Sequence, residues 1–203
     1  MPVSSQHIRN VLRDTRIADH PGQQALQGLP ADLVSAWFKL PLREAAVLVP
    51  LMNRPDGLTV LLTRRTDNVR DHAGQISFPG GSREADDVTL ESTALRESQE
   101  EIGLKADAVT VIGYLDAHPV ITGFAVLPVV GMVESPPKLV AHPGEVADIF
   151  EVPLSVLLQP GNGKVHTRVR NGVGLPTHEY VYNDWRIWGA TAQILNTLLT
   201  KIS

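Results

Sequence analysis

The sequence predicts a mixed α/β fold, of the α+β class or an α/β/α sandwich, with helices covering a mixed sheet. Three observations carry this. Short apolar, strand-like runs recur at residues 45–52, 58–62, 74–78, 109–115 and 124–133. Two longer stretches, 88–102 and 187–202, have helical character. The two kinds of segment alternate without a repeated βαβ rhythm. With 203 residues and a 43% hydrophobic fraction, the chain can bury a substantial core.

Taken in order, Ser4 or Ser5 caps a short helix with Ile8, Val11 and Leu12 on one face. Residues 17–32 are rich in Gly, Pro, Gln and Asp and read as a connection; 33–40 form a small apolar patch. Residues 1–42 are therefore expected to be an N-terminal extension packed on a main domain at 43–203. The first two strands, 45–52 and 58–62, flank Asn53-Arg54-Pro55-Asp56-Gly57, whose Pro and Asp-Gly pair signal a turn between antiparallel neighbours. Asp86 or Asp87 is placed to cap the helix 88–102, and Gly103 to end it in a left-handed residue. After Pro153, 152–158 reads as a short helix. Strands at 165–169 and 179–182 are divided by a turn-rich stretch, 171–177. In the last helix, 187–202, Ala190, Ile194, Leu198 and Ile202 recur at i+4.

The chemistry is concentrated in Arg96-Glu97-Ser98-Gln99-Glu100-Glu101-Ile102-Gly103-Leu104, downstream of Phe78-Pro79-Gly80-Gly81. On a helix, Glu97, Glu100 and Glu101 share a face, while Ala94, Leu95, Ser98 and Ile102 form a stripe suited to the core. Like charges at i,i+4 near a helix C-terminus repel each other and oppose the macrodipole. Arg96 is the one basic residue between Glu84 and Gly103 and cannot neutralise all three acids. A solvated acidic face tolerates these costs, whereas a hard divalent cation uses them, because several oxygens must converge on it.

Other classes are disfavoured. A net charge of −4 argues against a broad basic surface for nucleic acid. The absence of cysteine excludes disulfides, cysteine nucleophiles and thiolate zinc sites. No apolar run reaches the roughly 18–20 residues that span a bilayer, and no secretory signal is evident, so a cytoplasmic location is expected. There is no His-x3-His pair and no Gly-x-Ser-x-Gly. Gly161-Asn162-Gly163-Lys164 has the wrong spacing for a phosphate loop. Trp185 and Trp188 are expected in the core.

Residues 81–104 resemble the Nudix box, Gly-x5-Glu-x7-Arg-Glu-apolar-x-Glu-Glu-x-Gly-apolar. Arg96, Glu97, Glu100, Glu101, Gly103 and Leu104 fall in place. Ser98 stands where an apolar residue is usual, Asp87 occupies the place of the first glutamate, and Gly81 lies one residue further from Arg96 than the pattern. That expansion, together with residues 61–81 (Leu61-Leu62-Thr63-Arg64-Arg65 through Ser77-Phe78-Pro79-Gly80-Gly81), resembles the coenzyme A pyrophosphatase subgroup. Residues 122–131 and Ile187-Trp188-Gly189-Ala190-Thr191-Ala192 are similar to it as well.

The resemblance implies a Nudix α/β/α sandwich with a loop-helix-loop catalytic element. It further implies Mg²⁺- or Mn²⁺-dependent hydrolysis of coenzyme A or its thioesters to 3′,5′-ADP and (acyl-)4′-phosphopantetheine. Glu97, Glu100 and Glu101 are then the metal ligands and Arg96 their anchor. Glu100, Glu101 and Glu145 are the catalytic carboxylates, with the general base left open between Glu101 and Glu145. Arg64, Arg70, Gln75, Ser77, Gly80 and Gly81 are the candidate substrate contacts, and His72 is read as structural. If the second strand continues through Arg64 and Arg65, their side chains point to opposite faces. The expected partner is a small molecule, without nucleic acid or membrane; a homodimer is left open. The alternatives are another Nudix diphosphatase, for ADP-ribose or NADH, and a non-catalytic nucleotide-binding module.

Overall fold

The computed structural model describes residues 3–66 and 74–203. Among these, eight strands form one mixed sheet: β1 (Arg43–Arg54), β2 (Gly57–Arg65), β3 (Ile76–Ser77), β4 (Gly80–Ser82), β5 (Thr110–Tyr114), β6 (His118–Val120), β7 (Phe124–Val133) and β8 (Val146–Pro153). A smaller sheet holds β9 (Lys164–Arg170), β10 (Val173–Tyr182) and β11 (Trp185–Trp188). The helices are α1 (Ser5–Leu12), α2 (Pro21–Leu26), α3 (Ala31–Trp37), α4 (Leu90–Ile102), α5 (Leu154–Leu157) and α6 (Gly189–Ile202).

The main sheet is covered on both faces, which is why its central strands read as nearly continuous apolar runs. One layer joins Ala46, Leu48, Leu61, Leu127 and Val129 to Leu90, Ala94 and Ile102 of α4. The other joins Val49, Leu51, Val60, Leu62 and Val130 to Ile8 and Leu12 of α1 and to Ile194, Leu195 and Leu198 of α6. This is the expected α/β/α sandwich. No helix among the described residues is long and apolar enough to cross a membrane.

The fork that builds the site lies between β1 and β2. They pair antiparallel only from Leu51↔Val60 to Arg54↔Gly57. Beyond that they diverge, and the gap is filled by β3 on β2 (Thr63↔Ser77) and β4 on β1 (Ala46↔Gly81). Between them the Leu48 N–H reaches the Pro79 carbonyl at 2.9 Å. Pro50 shares that edge of β1 by strand alternation, after the β4 pairing ends at Val47 and before the β2 pairing begins at Leu51. A proline that cannot donate is thereby accommodated inside a central strand.

Several elements differ from expectation. The connection at 17–32 contains α2, started by Pro21 at its first turn, and α3 begins at Ala31. The helix expected at 152–158 shrinks to α5, because 146–153 pair along β2 as β8. The turn expected at 171–177 contracts to Asn171-Gly172, both at positive φ, and β10 begins at Val173. The last helix starts at Gly189, since Trp185–Trp188 is a strand against β10. Trp185 stacks on Phe150 with ring centroids 4.4 Å apart. Trp188 is only half-buried, with the Arg168 guanidinium 5.4 Å over its ring, so it is not the core residue expected.

Candidate functional site

α4 begins one turn later than Asp87. Thr89 is its N-cap, in a reciprocal capping box with Ser92. Asp87 caps nothing, because its carboxylate is already engaged: it accepts from Arg96 Nε (3.1 Å) and Nη2 (3.0 Å), from Thr93 Oγ1 (3.0 Å) and from the Glu84 N–H (2.9 Å). The Arg96 hydrogen bonds hold Asp87 far below the usual carboxylate range. The helix ends at Gly103, left-handed at φ 69°, with Leu104 packed back into the core. Ser98 faces that core as its place in the stripe requires, and its hydroxyl donates to the Ala94 carbonyl at 2.7 Å.

Glu97 and Glu101 lie one turn apart and both meet the Gly80-Gly81 turn. The Gly80 N–H donates to Glu101 Oε2 at 3.2 Å. A Cβ built on Gly81 would overlap the Glu97 carboxylate, with Cδ at 2.6 Å. Glu101 is buried and Glu97 nearly so; Glu100 is exposed on the outer edge. Arg96 Nη1 bridges Glu97 Oε1 and Glu100 Oε2, each at 3.0 Å.

The other wall comes from β2 and β8. They pair from Thr59↔Pro153 to Arg65↔Val146, with a bulge between Arg64 and Arg65 where Ala147 is the extra residue. The pairing delivers Glu145, whose carbonyl accepts the Thr66 N–H at 2.9 Å. The loop bearing Glu145 is tied to the end of α4: His142 N–H donates to the Glu101 carbonyl (2.8 Å) and Val140 N–H to that of Ile102 (3.0 Å). Arg65 Nη1 stands 3.5 Å from Glu101 Oε1.

Burial pushes Glu101 up to about 7, against the Arg65 charge and the Gly80 N–H, and the charges of Glu97 and Glu145 push the same way. Burial also raises Glu97, opposed by Arg96 and assisted by Glu100 and Glu145. Three acids from two separate segments thus feel one another.

Of the sequence-derived site residues, the structure gathers Glu97, Glu101, Glu145, Gly80 and Gly81, with Arg96 buttressing from the outer side. Glu100 is joined to this group by Arg96, which bridges it to Glu97. Ser77 lies opposite Thr63, and their hydroxyls are 3.2 Å apart. Gln75 supplies its carbonyl to the Arg65 N–H at 3.0 Å. Arg64 is not brought to the carboxylates: its Nε donates to Asp148 Oδ2 at 2.6 Å, on the α6 side with Leu62 and Phe150. The arginine on the carboxylate side is Arg65. Strand alternation indicated that the two side chains point to opposite faces, but the expectation of a site contact fell on Arg64 rather than Arg65. Arg70 and His72 lie outside the described residues.

Among the described residues, no three His, Cys, Asp or Glu side chains already stand as a metal-ligating set. Glu97 and Glu100 are instead turned onto Arg96. The donor chemistry nevertheless suits a hard divalent cation: every candidate ligand is a carboxylate, and two are buried against one glycine turn with their charges incompletely compensated.

A family profile described as NUDIX domain matches residues 42–169. The "Uncharacterized Nudix hydrolase NudL" of Yersinia pestis is 40% identical over 169 residues, 83% of this chain and 84% of the relative. The protein of the same name from Yersinia pseudotuberculosis matches to the same extent. Among solved structures, RenU, a Nudix hydrolase from M. smegmatis, aligns with a TM-score of 0.47 at 27% identity, covering 55% of this chain and 70% of that one.

Proposed function

We propose a substrate and a division of labour for this chain from the premise that it belongs to the Nudix hydrolase family. The substrate is coenzyme A or an acyl-CoA, cut at its diphosphate to 3′,5′-ADP and (acyl-)4′-phosphopantetheine. The observation that carries a diphosphate reading is the meeting of Glu97 and Glu101 at the Gly80-Gly81 turn, with Glu145 brought in across the β2–β8 bulge. Support for coenzyme A comes from residues 61–81, which precede the box as they do in the coenzyme A pyrophosphatases.

Glu97 and Glu101 would hold the divalent cation, Mg²⁺ or Mn²⁺, with Glu100, now hydrogen-bonded to Arg96, as a further ligand. A bound cation neutralises the phosphate oxygens and makes water a better nucleophile. Arg96, fixed by Asp87, orients the helix carboxylates. Glu145, half-exposed beside them, takes the proton of the attacking water on its carboxylate. The water oxygen bonds to one phosphorus, the anhydride P–O bond breaks, and two phosphate monoesters leave. Gly80 and Gly81 let the backbone of the turn approach the helix carboxylates without side-chain bulk.

The test is product identification by mass spectrometry from coenzyme A, ADP-ribose and NADH, each with Mg²⁺, Mn²⁺ or EDTA. The expected result is metal-dependent formation of 3′,5′-ADP and 4′-phosphopantetheine, with Glu145→Gln lowering kcat about 10²-fold or more. Equal or faster turnover of ADP-ribose refutes the coenzyme A assignment.

A further inference from the structure

The small sheet ends at an open edge. Among the described residues β9 pairs with β10 alone, and every residue of β9 is exposed. The family match stops at residue 169, so β10 and β11, which carry this edge, lie outside it. The hairpin turn decides which backbone groups face outward. Asn171 and Gly172 both have positive φ, as a two-residue type I′ turn requires. Arg170 and Val173 flank that turn and form its hydrogen-bonded pair. By alternation, Lys164, His166 and Arg168 also direct their N–H and C=O groups at β10. Val165, Thr167 and Val169 direct theirs away from the sheet. An edge of this kind is a template for another strand.

The side chains sort by face as well. The basic residues at 164, 166, 168 and 170 share one face. On it the Arg168 guanidinium lies over the Trp188 ring, and His166 Nε2 is 3.8 Å from Glu179 Oε1. Glu179 is already held by Arg186 at 2.5 Å. Arg168 and Arg170 form no ion pair among the described residues. The opposite face carries Val165 and Val169, 62% and 68% exposed. The chain as a whole has a net charge of −4, so this run of positive charge is local.

Charge on an edge strand also keeps copies of a protein apart, and here it does so. Two β9 strands paired antiparallel about Thr167 would set Lys164 against Arg170 of a second copy and His166 against Arg168. Like charges directly opposite destabilise a strand pair. A second copy is therefore a poor occupant. Acids at those positions reverse the sign, and apolar residues opposite Val165 and Val169 cover the valines on the other face.

We propose that the free edge of β9 is a docking site for an extended segment of a partner protein in which acidic and apolar residues alternate. The segment adds to the sheet as a further strand. Its backbone pairs with Val165, Thr167 and Val169, its acids meet the cations, and its apolar residues meet the two valines.

The test titrates two labelled peptides into the whole chain by fluorescence anisotropy. One is a seven-residue peptide of alternating glutamate and valine; the other has the same composition with its glutamates in one block. The alternating peptide is expected to bind at least tenfold tighter than the block peptide. Arg168→Glu/Arg170→Glu is expected to weaken it at least tenfold. Thr167→Pro removes one outward N–H and no charge, at a position where an edge strand tolerates proline, and the same loss is expected. If that variant loses its hairpin, amide hydrogen exchange of the wild type replaces it. Exchange at Val165, Thr167 and Val169 is expected to slow at least fivefold on binding. Equal binding of the two peptides overturns the proposal by reducing it to net charge, and unchanged exchange at those three amides overturns the strand pairing. Failure of the alternating peptide to bind also overturns it, as does tighter binding of single-stranded DNA or a dimer of the free protein that Arg168→Glu/Arg170→Glu abolishes.

Discussion

Gly81 leaves room for the carboxylate of Glu97: a Cβ at that position would overlap Oε1 and lie 2.6 Å from Cδ. Gly80, one residue earlier, is tight for another reason. It has φ 155°, and its Cβ would overlap the Ala46 carbonyl oxygen and sit 2.6 Å from Val47 Cα. One neighbour is the end of a flexible side chain; the other is the backbone of a central strand. Gly81→Ala is therefore expected to keep stability within about 1 kcal/mol while swinging Glu97 away and lowering kcat at least 10²-fold. Gly80→Ala is expected to cost roughly 2–3 kcal/mol, from steric overlap and positive φ. Urea denaturation with parallel kinetics separates the two, and equal stability losses would contradict the distinction.

The Asp87–Arg96 pair fixes the base of α4. Asp87 is buried, Arg96 a quarter exposed, and removing one partner strands the other. Asp87→Asn is expected to cost about 2–3 kcal/mol, discounted for the exposure of Arg96. Because the folded carboxyl titrates below its ordinary value of 3.8, its contribution is present above that pH and disappears as pH falls further. The wild type should thus lose stability on acidification faster than Asp87→Asn. Parallel acid unfolding curves would count against this role.

Glu101 has the opposite sign. Its folded carboxyl is pushed up to about 7 from 4.5, so the fold disfavours the ionised form. Stability falls as pH rises through that window, and the loss is complete above it. In EDTA at pH 8, Glu101→Gln is expected to be more stable than the wild type by on the order of 2–3 kcal/mol, with little difference at pH 4.5. The same variant should be inactive. A less stable Glu101→Gln at pH 8 would show that the Arg65 pairing outweighs the cost of burial.

Ser98 places a hydroxyl in the core and returns it to the Ala94 carbonyl. Ser98→Ala removes that back-bond and raises helix propensity, so a gain of about 0.5 kcal/mol is expected, with activity unchanged. A loss above about 1 kcal/mol, measured by denaturant titration, would mean that the hydroxyl contributes more than it costs.

The sheet was legible where apolar runs are long. Residues 45–52, 58–62 and 124–133 lie within β1, β2 and β7, and the acids of α4 follow directly from helical spacing. What escaped depends on competition or on distant pairing. Asp87 looks like a cap until Arg96 claims it, which leaves the role to Thr89. β8, in which Asp148 and Glu151 interrupt an otherwise apolar run, becomes strand beside β2. α2 and α3 are too short for periodicity to show. In the site, Glu97 and Glu101 are four residues apart in one helix, but Arg65 and Glu145 arrive from 32 or more residues away in sequence. No local pattern records which face of β2 lies toward α4, and hence that Arg65, in line with Leu61 of the α4-side layer, is the arginine on the carboxylate side.

The central claim is that Glu97 and Glu101 hold a divalent cation at the glycine turn. Electron paramagnetic resonance of Mn²⁺ titrated into the wild type and the Glu97→Gln/Glu101→Gln variant tests it most directly. The wild type is predicted to immobilise Mn²⁺ at one or more sites and the variant, still folded, to lose that binding. Equal Mn²⁺ binding by both proteins would contradict the account.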